Sequence, residues 1–129
     1  NRTLYLNKEE IMKINELIQN YNLHDSLIEK IEYDKTNLIA KIYIDFCYWQ
    51  QENYNERMPE TGMIVVVFKE CTELRYENYD INSDEIVKVS GDEHSMTITV
   101  FNDLSGKYID IFIKAVSAVF VNDETTCTL

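Results

Sequence analysis

The spacing of apolar residues changes from about 3.6 to about 2 near Ser26, and this change constrains the fold more than any other feature of the chain. Asn7 followed by Glu10 has the spacing of a capping box. The next apolar residues recur every three or four positions and make one helical stripe: Ile11, Ile14, Leu17, Ile18 and Tyr21. The pattern predicts an N-terminal amphipathic helix over about residues 8–20, docked on a sheet by one face.

From Ser26 onward the chain alternates in the manner of β-strands. Residues 27–33 predict a short strand, and a polar turn at 34–37 joins it to the clearest strand of the chain, over residues 38–47. One face of that strand is wholly apolar: Leu38, Ala40, Ile42, Ile44 and Phe46. Further strands are predicted over residues 63–68, 74–79, 86–89, 95–101, 108–113 and 115–121.

No helix-length segment separates these strands, which excludes parallel strands joined by helical crossovers. We therefore predict an α+β fold, with the N-terminal helix packed on an antiparallel, curled sheet or barrel of seven to eight strands. The 129 residues are expected to form one domain, with a strand-rich body over residues 27–121 and a frayed polar tail over residues 122–129.

Cysteine usage and apolar runs predict a cytoplasmic location. The three cysteines, Cys47, Cys71 and Cys127, form no CxxC pair and leave one over, so we expect buried reduced thiols rather than a disulfide framework. No leader-like apolar segment opens the chain, and no run approaches the ~20 apolar residues of a membrane span.

The charge balance bears on the class of partner. Twelve basic residues against 23 acidic ones give a net charge of −11, which repels nucleic acid phosphates and anionic lipid. The same charge would attract a basic protein or a cation, although solubility alone also explains it. We expect no nucleic acid or membrane partner.

Motifs for catalysis are missing from the sequence. There is no G-x-S-x-G, P-loop or G-x-G-x-x-G pattern, and three glycines could hardly supply phosphate-binding loops. We assign no catalytic residue, no metal and no cofactor.

Two histidines lie beside acidic residues. His24, Asp25 and Ser26 follow the predicted helix, and we expect a turn-structural role, in which Asp25 or Ser26 accepts backbone N–H groups and His24 bonds a carbonyl. His94 follows two acids in a predicted hairpin turn. If His24 and His94 met in space with these acids, they could bind a divalent ion, but their spacing does not predict it.

Acidic and aromatic residues alternate at two places, which predicts a surface that binds a protein partner. The first is the long polar loop at residues 50–62 with the tryptophan before it, and loops of this length are often functional. The alternative is that Trp49 and its neighbours form a second core layer under the helix. The candidate partner-binding residues are Trp49, Glu52, Tyr54, Glu56, Glu60, Tyr76, Glu77 and Asp80.

The chain also resembles a group of small bacterial proteins. The resemblance is carried by Leu23-His24-Asp25-Ser26 followed by Ile28, Ile31 and an alternating strand, and by a late G-x-I-x-x-x-F run matched by Gly62, Ile64 and Phe68. These features are similar to immunity proteins of polymorphic toxin systems, of the immunity protein 50 kind, over about residues 23–121. The resemblance implies a cytoplasmic, non-enzymatic protein that binds and blocks a toxin, often a basic nuclease, and it transfers no site residues.

Two functional hypotheses follow. The first is a non-enzymatic protein-binding module, an immunity or inhibitor protein that neutralises a basic toxin or effector. The second is a small-ligand or metal-binding β-barrel domain that uses His24, Asp25 and His94.

Overall fold

A computed structural model describes residues 10–122 of the chain. Asn7 of the predicted cap, Cys127 and most of the predicted tail lie outside these residues. The described part contains seven strands, one α-helix and one 3-10 turn: β1 (Ile11–Met12), α1 (Ile14–Asn20), β2 (Leu27–Asp34), β3 (Ile39–Cys47), the 3-10 turn (Tyr48–Gln50), β4 (Thr61–Arg75), β5 (Asp84–Gly91), β6 (Ser95–Asn102) and β7 (Lys107–Asn122).

The sheet closes on itself in a ring. Its strands pair in the order β7-β4-β3-β2-β5-β6, and β6 also pairs with β7. The two-residue β1 adds to β7, with Ile11 opposite Val119. Every one of these pairings is antiparallel. The prediction of a mainly antiparallel sheet with one helix is confirmed.

The helix is shorter than predicted and begins later. Ile11 belongs to β1 and its side chain is 64% exposed, so it is not part of the helical stripe. The backbone N–H of Lys13 donates to the carboxylate of Glu16 at 2.8 Å, and the helix begins at the next residue, Ile14. Pairing of β1 with β7 satisfies backbone groups that a longer helix would have used, which explains the difference.

The fourth strand is longer than predicted, and the strand predicted over residues 74–79 is wrong beyond Arg75. β4 pairs with β3 as far as Lys69 opposite Ile39, and it pairs with β7 from Ile64 opposite Asn122 as far as Arg75 opposite Phe112. Residues 76–83 form a loop instead of a strand. β4 ends where its pairing with β7 ends, and local periodicity does not reveal how far that pairing extends.

The two strands predicted over residues 108–113 and 115–121 are one continuous strand. Lys114 interrupts the apolar pattern, but it is an exposed position paired with both Ser95 of β6 and Glu73 of β4. The first half of β7 pairs with β6 and the second half with β4, so this strand closes the ring.

The core fills the inside of the ring and the space under α1. The inward face of β3 is almost fully buried, as its alternation predicts: Ala40, Ile42, Ile44 and Phe46. Leu38, which was predicted on the same face, lies in the turn before β3 and is exposed, with a φ of 56°. The helix covers β5, β6 and β7 with the buried side chains of Ile14 and Leu17. Within residues 10–122, none of the helical structure is long and apolar enough to cross a bilayer.

Candidate functional site

The long loop after β3 is held in shape by its own backbone hydrogen bonds. We name residues 48–60 the 48–60 loop. The N–H of Trp49 donates to the carbonyl of Glu60 at 3.2 Å, which joins the two ends of the loop. Inside it, Tyr54 N–H donates to the carbonyl of Gln51 at 3.2 Å and Met58 N–H to the carbonyl of Asn55 at 3.0 Å. The loop is therefore a series of hydrogen-bonded turns.

Two glutamines attach the 48–60 loop to the chain that enters β2. The Nε2 of Gln51 donates to the carbonyls of Asn22 and Cys47, both at 2.8 Å, and its Oε1 accepts the N–H of Asn22 at 2.9 Å. The Nε2 of Gln50 donates to the carboxylate of Asp25 at 2.6 Å. Two features that are 25 residues apart in sequence thus form one structural unit.

The turn at residues 23–26, named here the 23–26 turn, carries the His24-Asp25-Ser26 sequence. The hydroxyl of Ser26 is buried and accepts the backbone N–H of Cys47 at 2.9 Å. Asp25 has a positive φ of 71° and its N–H donates to the carbonyl of Ile86 at 2.9 Å, which joins the turn to β5. The His24 imidazole lies 3.1 Å from the Asp25 carboxylate, where we expected a carbonyl partner.

A second carboxylate lies beside this turn. Glu85 of β5 pairs with Leu27, and the neighbouring carboxylate of Asp25 raises the pKa of Glu85, with partial burial and the charge of Asp103 adding to the effect. Asp25, Glu85 and Asp103 are all acidic, and their proximity favours contact with a positively charged group; the nearby His24 imidazole already opposes the rise in the pKa of Glu85.

The cysteine at the end of β3 is buried between these parts. The Sγ of Cys47 donates to the carbonyl of Asp25 at 3.4 Å, and desolvation raises the pKa of the thiol. Burial likewise raises the pKa of Cys71. Both are free thiols, as the sequence predicts.

The predicted partner-binding residues of the 48–60 loop differ in exposure. Trp49 is 48% exposed, so it does not form a second core layer. Tyr54 is half-buried and packs against the core. The three acids are exposed, and within residues 10–122 none of them lies within ion-pair distance of a basic group: Glu52, Glu56 and Glu60.

The remaining predicted partner-binding residues lie in the other loop, residues 76–83, named here the 76–83 loop. Tyr76 is half-buried and borders a cleft with Tyr33 and Leu38, at the opposite end of β3 and β4 from Trp49. Glu77 lies 3.9 Å from the Nζ of Lys107. The backbone carbonyl of Asp80 accepts the side-chain amide of Asn102 at 3.0 Å. The structure therefore separates Tyr76 from the tryptophan.

His94 lies away from His24. The carboxylate of Asp92 accepts the N–H groups of His94 and Ser95, and these hydrogen bonds lower its pKa. Glu93 forms an ion pair with Lys13 at 2.8 Å. The two histidines line different clefts, and among residues 10–122 no three His, Cys, Asp or Glu side chains are grouped to hold a metal ion.

A buried polar network joins the 76–83 loop to the turn between β6 and β7. Asn102 donates to the carboxylate of the buried Asp84 at 2.7 Å, and its side-chain oxygen accepts the N–H of Ser105 at 2.9 Å. Because both residues are buried and bonded to each other, we assign this network to structure rather than to ligand binding.

Sequence reasoning missed the exposed apolar residues of the β6–β7 hairpin. Leu104 is 66% exposed and Tyr108 is 68% exposed. The ring of Tyr108 lies 5.1 Å from that of Phe101, measured between centroids. Two features of the sequence could have predicted this exposure. Leu104 lies inside an otherwise polar turn, and Tyr108 alternates with isoleucines that are buried.

A cleft of about 820 Å³ lies between the end of α1, the 48–60 loop and the end of β7. Its aromatic wall includes Tyr21 and Phe120, whose rings stack at 3.9 Å. Side-chain amides make up most of the remaining lining, and Glu52 is the single charged residue among the lining residues that the structure describes.

Comparison with protein-family models, with curated proteins and with solved structures finds no match to this chain.

Proposed function

We propose that this protein is a non-enzymatic protein-binding module that binds and blocks a basic partner, as an immunity protein blocks a toxin. The observation that carries the proposal is the exposed indole of Trp49 on a hydrogen-bonded loop, beside three exposed acids without ion-pair partners in residues 10–122. Tryptophan is the side chain most enriched among residues that dominate binding energy, and unpaired acids favour a basic partner.

The order of the loop supports this function. A binding loop that is already held in one shape loses less conformational entropy when the partner binds. Here the Trp49 and Glu60 backbones are bonded to each other, and Gln50 and Gln51 attach the loop to the 23–26 turn. The tryptophan is therefore presented from a fixed backbone.

The charge of the whole chain supports the same function. A net charge of −11 accelerates encounter with a basic protein and slows encounter with acidic ones. The sequence Leu23-His24-Asp25-Ser26 resembles that of immunity proteins, which often block basic nucleases. An acidic surface suits a target of this kind.

Co-expression with the product of the neighbouring gene, followed by co-purification and measurement of affinity, tests the proposal. We expect a stoichiometric complex with a basic protein. Trp49→Ala should weaken it at least about tenfold, since loss of one central anchor costs more than ~1.4 kcal/mol. The matched control is Val116→Ala, because Val116 is also 48% exposed but lies on β7.

The charge contribution needs its own pair of variants. Glu56→Gln with Glu60→Gln removes two charges from the 48–60 loop, and Glu70→Gln with Asp110→Asn removes two exposed charges elsewhere. We expect the first pair to slow association more than the second. The proposed function is contradicted if no stable protein partner is recovered. It is also contradicted if the two single-substitution and two double-substitution variants all bind the partner with the affinity of the unmodified protein.

A second candidate function is favoured by the cleft of about 820 Å³ beside Tyr21 and Phe120. Its amide-rich lining suits an uncharged small molecule. Thermal unfolding with a panel of neutral sugars and nucleosides tests this. A saturable rise in Tm that Met58→Trp abolishes would favour the ligand-binding function, and a flat response across the panel would exclude these ligand classes.

A further inference from the structure

The tip of the β6–β7 hairpin carries the most exposed large apolar side chains in residues 10–122, Leu104 and Tyr108. Phe101 is half-buried and its ring packs on that of Tyr108. Apolar groups that are exposed together on a folded protein mark interaction sites more often than those exposed singly. Packing within the fold therefore does not explain why Leu104 and Tyr108 are exposed at the same end of the hairpin.

The strand registers extend this patch across three further positions of the outer face. Tyr108 is opposite Phe101, Phe101 is opposite Glu85, and Glu85 is opposite Leu27. Leu27 is in turn opposite Asp45. Neighbouring strands are about 4.8 Å apart, so this outward row of five residues spans roughly 19 Å.

Acidic side chains lie within and beside the row. Glu85 is exposed, Asp45 is half-buried, and Asp103 is exposed in the hairpin turn. Within residues 10–122 none of the three forms an ion pair, and Lys107, the basic residue nearest the hairpin turn, lies beside Glu77. An apolar pair of rings followed by acidic and apolar positions complements a segment that carries basic residues beside apolar ones.

We propose that Leu27, Glu85, Phe101, Leu104 and Tyr108, named here the hairpin surface, form a second contact that docks an amphipathic basic segment of a protein partner. The inference rests on the proposed function and specifies the chemistry of the partner. Acidic residues around the patch disfavour nucleic acid and anionic lipid. They also disfavour a second copy of this chain, which would place like charges against each other.

The hairpin surface connects to the 48–60 loop through the contacts of Asp25 with Glu85 and with Gln50. Glu85 lies beside Asp25, and Asp25 accepts the side chain of Gln50, the residue after Trp49. The hairpin surface and the 48–60 loop therefore meet at the 23–26 turn, with the carboxylates of Asp25 and Glu85 between them.

The single tryptophan allows the hairpin surface to be tested directly. Trp49→Phe combined with Tyr108→Trp moves the fluorophore to the hairpin. The probe is a synthetic helix-forming peptide of Leu and Lys about 18 residues long, since a rise of ~1.5 Å per residue covers the row. Its control is a peptide in which Glu replaces every Lys. Salt of about 0.15 M limits unspecific attraction, because the Debye length is then ~8 Å.

We expect the Leu/Lys peptide to shift the tryptophan emission to shorter wavelength and to saturate, with no shift from the Leu/Glu peptide. In the same background, Leu104→Ser should weaken binding about tenfold, whereas Val116→Ser, an exposed apolar position on the other half of β7, should leave it unchanged. Absence of a shift, or equal weakening by the two serine variants, overturns the inference. Concentration-dependent dimerisation that Leu104→Ser removes also overturns it, in favour of a second copy as occupant.

The inference and the proposed function can fail separately. If a basic partner from co-expression loses affinity on Trp49→Ala but not on Leu104→Ser with Tyr108→Ser, the proposed function stands and the hairpin surface is not a contact. If no protein partner is recovered at all, the proposed function fails whatever the peptide result.

Discussion

Ser26 is the residue on which the junction of the helix and the sheet depends. Its buried hydroxyl accepts the N–H of Cys47, the last residue of β3, and its backbone carbonyl accepts the N–H of Ile86 at 2.8 Å. A donor that loses its partner inside a protein costs the full desolvation of that group. One hydroxyl thus holds the 23–26 turn against the start of the 48–60 loop.

Replacing Ser26 with alanine should lower the free energy of unfolding by about 1–3 kcal/mol, because the Cys47 N–H is left unsatisfied. Urea unfolding measures this. Ser90→Ala is the control, since Ser90 is exposed, and a change within ~0.5 kcal/mol is expected there. Equal effects of the two substitutions would show that the Ser26 hydroxyl has no structural importance.

Glu85 should make the stability depend on pH in an unusual direction. Since Asp25 raises the folded-state pKa of Glu85 above its unfolded value, the unfolded state loses this proton first as pH rises. The stabilisation from Glu85 is therefore full below the unfolded pKa and is lost as pH rises through the folded pKa. At neutral pH the two carboxylates repel each other.

Glu85→Gln should accordingly raise the unfolding free energy at pH 7 by less than about 1 kcal/mol, the range of exposed charge interactions. The gain should vanish below about pH 4, where the carboxyl is protonated in both states. Thermal unfolding across this pH range measures both. A loss of stability at pH 7 would mean that the Glu85 carboxylate forms favourable contacts that exceed the repulsion.

Among the elements, β4 changes its pairing partners along its length, and Glu70 lies where the change occurs. Before Glu70 the strand pairs with both β3 and β7, and after it with β7. Glu70 has a positive φ of 49°, a conformation that is unfavourable for residues other than glycine. The next residue, Cys71, donates its N–H to the carbonyl of Leu38 at 2.8 Å. The strained position lets β4 bend around the turn that joins β2 and β3.

Glu70→Gly should stabilise the protein by about 0.5–1 kcal/mol, because glycine adopts this φ without steric cost and the Glu70 side chain is exposed. Thr72→Gly, at a neighbouring exposed position with ordinary φ, should destabilise it by about 0.5–1 kcal/mol. Denaturant midpoints compare the two. Destabilisation by both would show that Glu70 makes contacts worth more than the strain.

At the scale of the whole molecule, half-buried tyrosines should limit stability at alkaline pH. Burial raises the pKa of Tyr79, and the nearby carboxylate of Asp84 raises it further. Burial also raises the pKa of Tyr21, with Glu10 as a second cause. Because the unfolded tyrosines ionise near pH 10, the stability that these groups contribute is present below that pH and is lost above it.

The unfolding free energy should therefore fall steeply above about pH 10, and Tyr79→Phe should reduce the slope, since it removes the group with the largest shift. Denaturant midpoints on both sides of this pH measure the slope. The control is Val116→Ala, an exposed substitution that changes no ionisable group and should leave the slope unchanged. The same slope in both variants would mean that Tyr79 is not the group responsible.

The fold was predictable where a local pattern coincides with burial. The inward face of β3 follows from strict alternation, because successive side chains on a strand point to opposite sides. The boundaries of α1, β4 and β7 were not predictable to the same degree. Each depends on pairing with a strand distant in sequence, such as Val119 for Ile11 and Phe112 for Arg75.

For the candidate site, the sequence by itself determined the acidic charge, the alternating face and the presence of Trp49 after the best strand. The tertiary structure alone decided that Trp49 is exposed and that Gln50 meets Asp25. It also decided that Tyr76 lies at the other end of the sheet and that Tyr108 lies two strands from Glu85. The reason is physical: composition and periodicity record which side of an element is buried, whereas the ring closure that brings separate segments together depends on strand register.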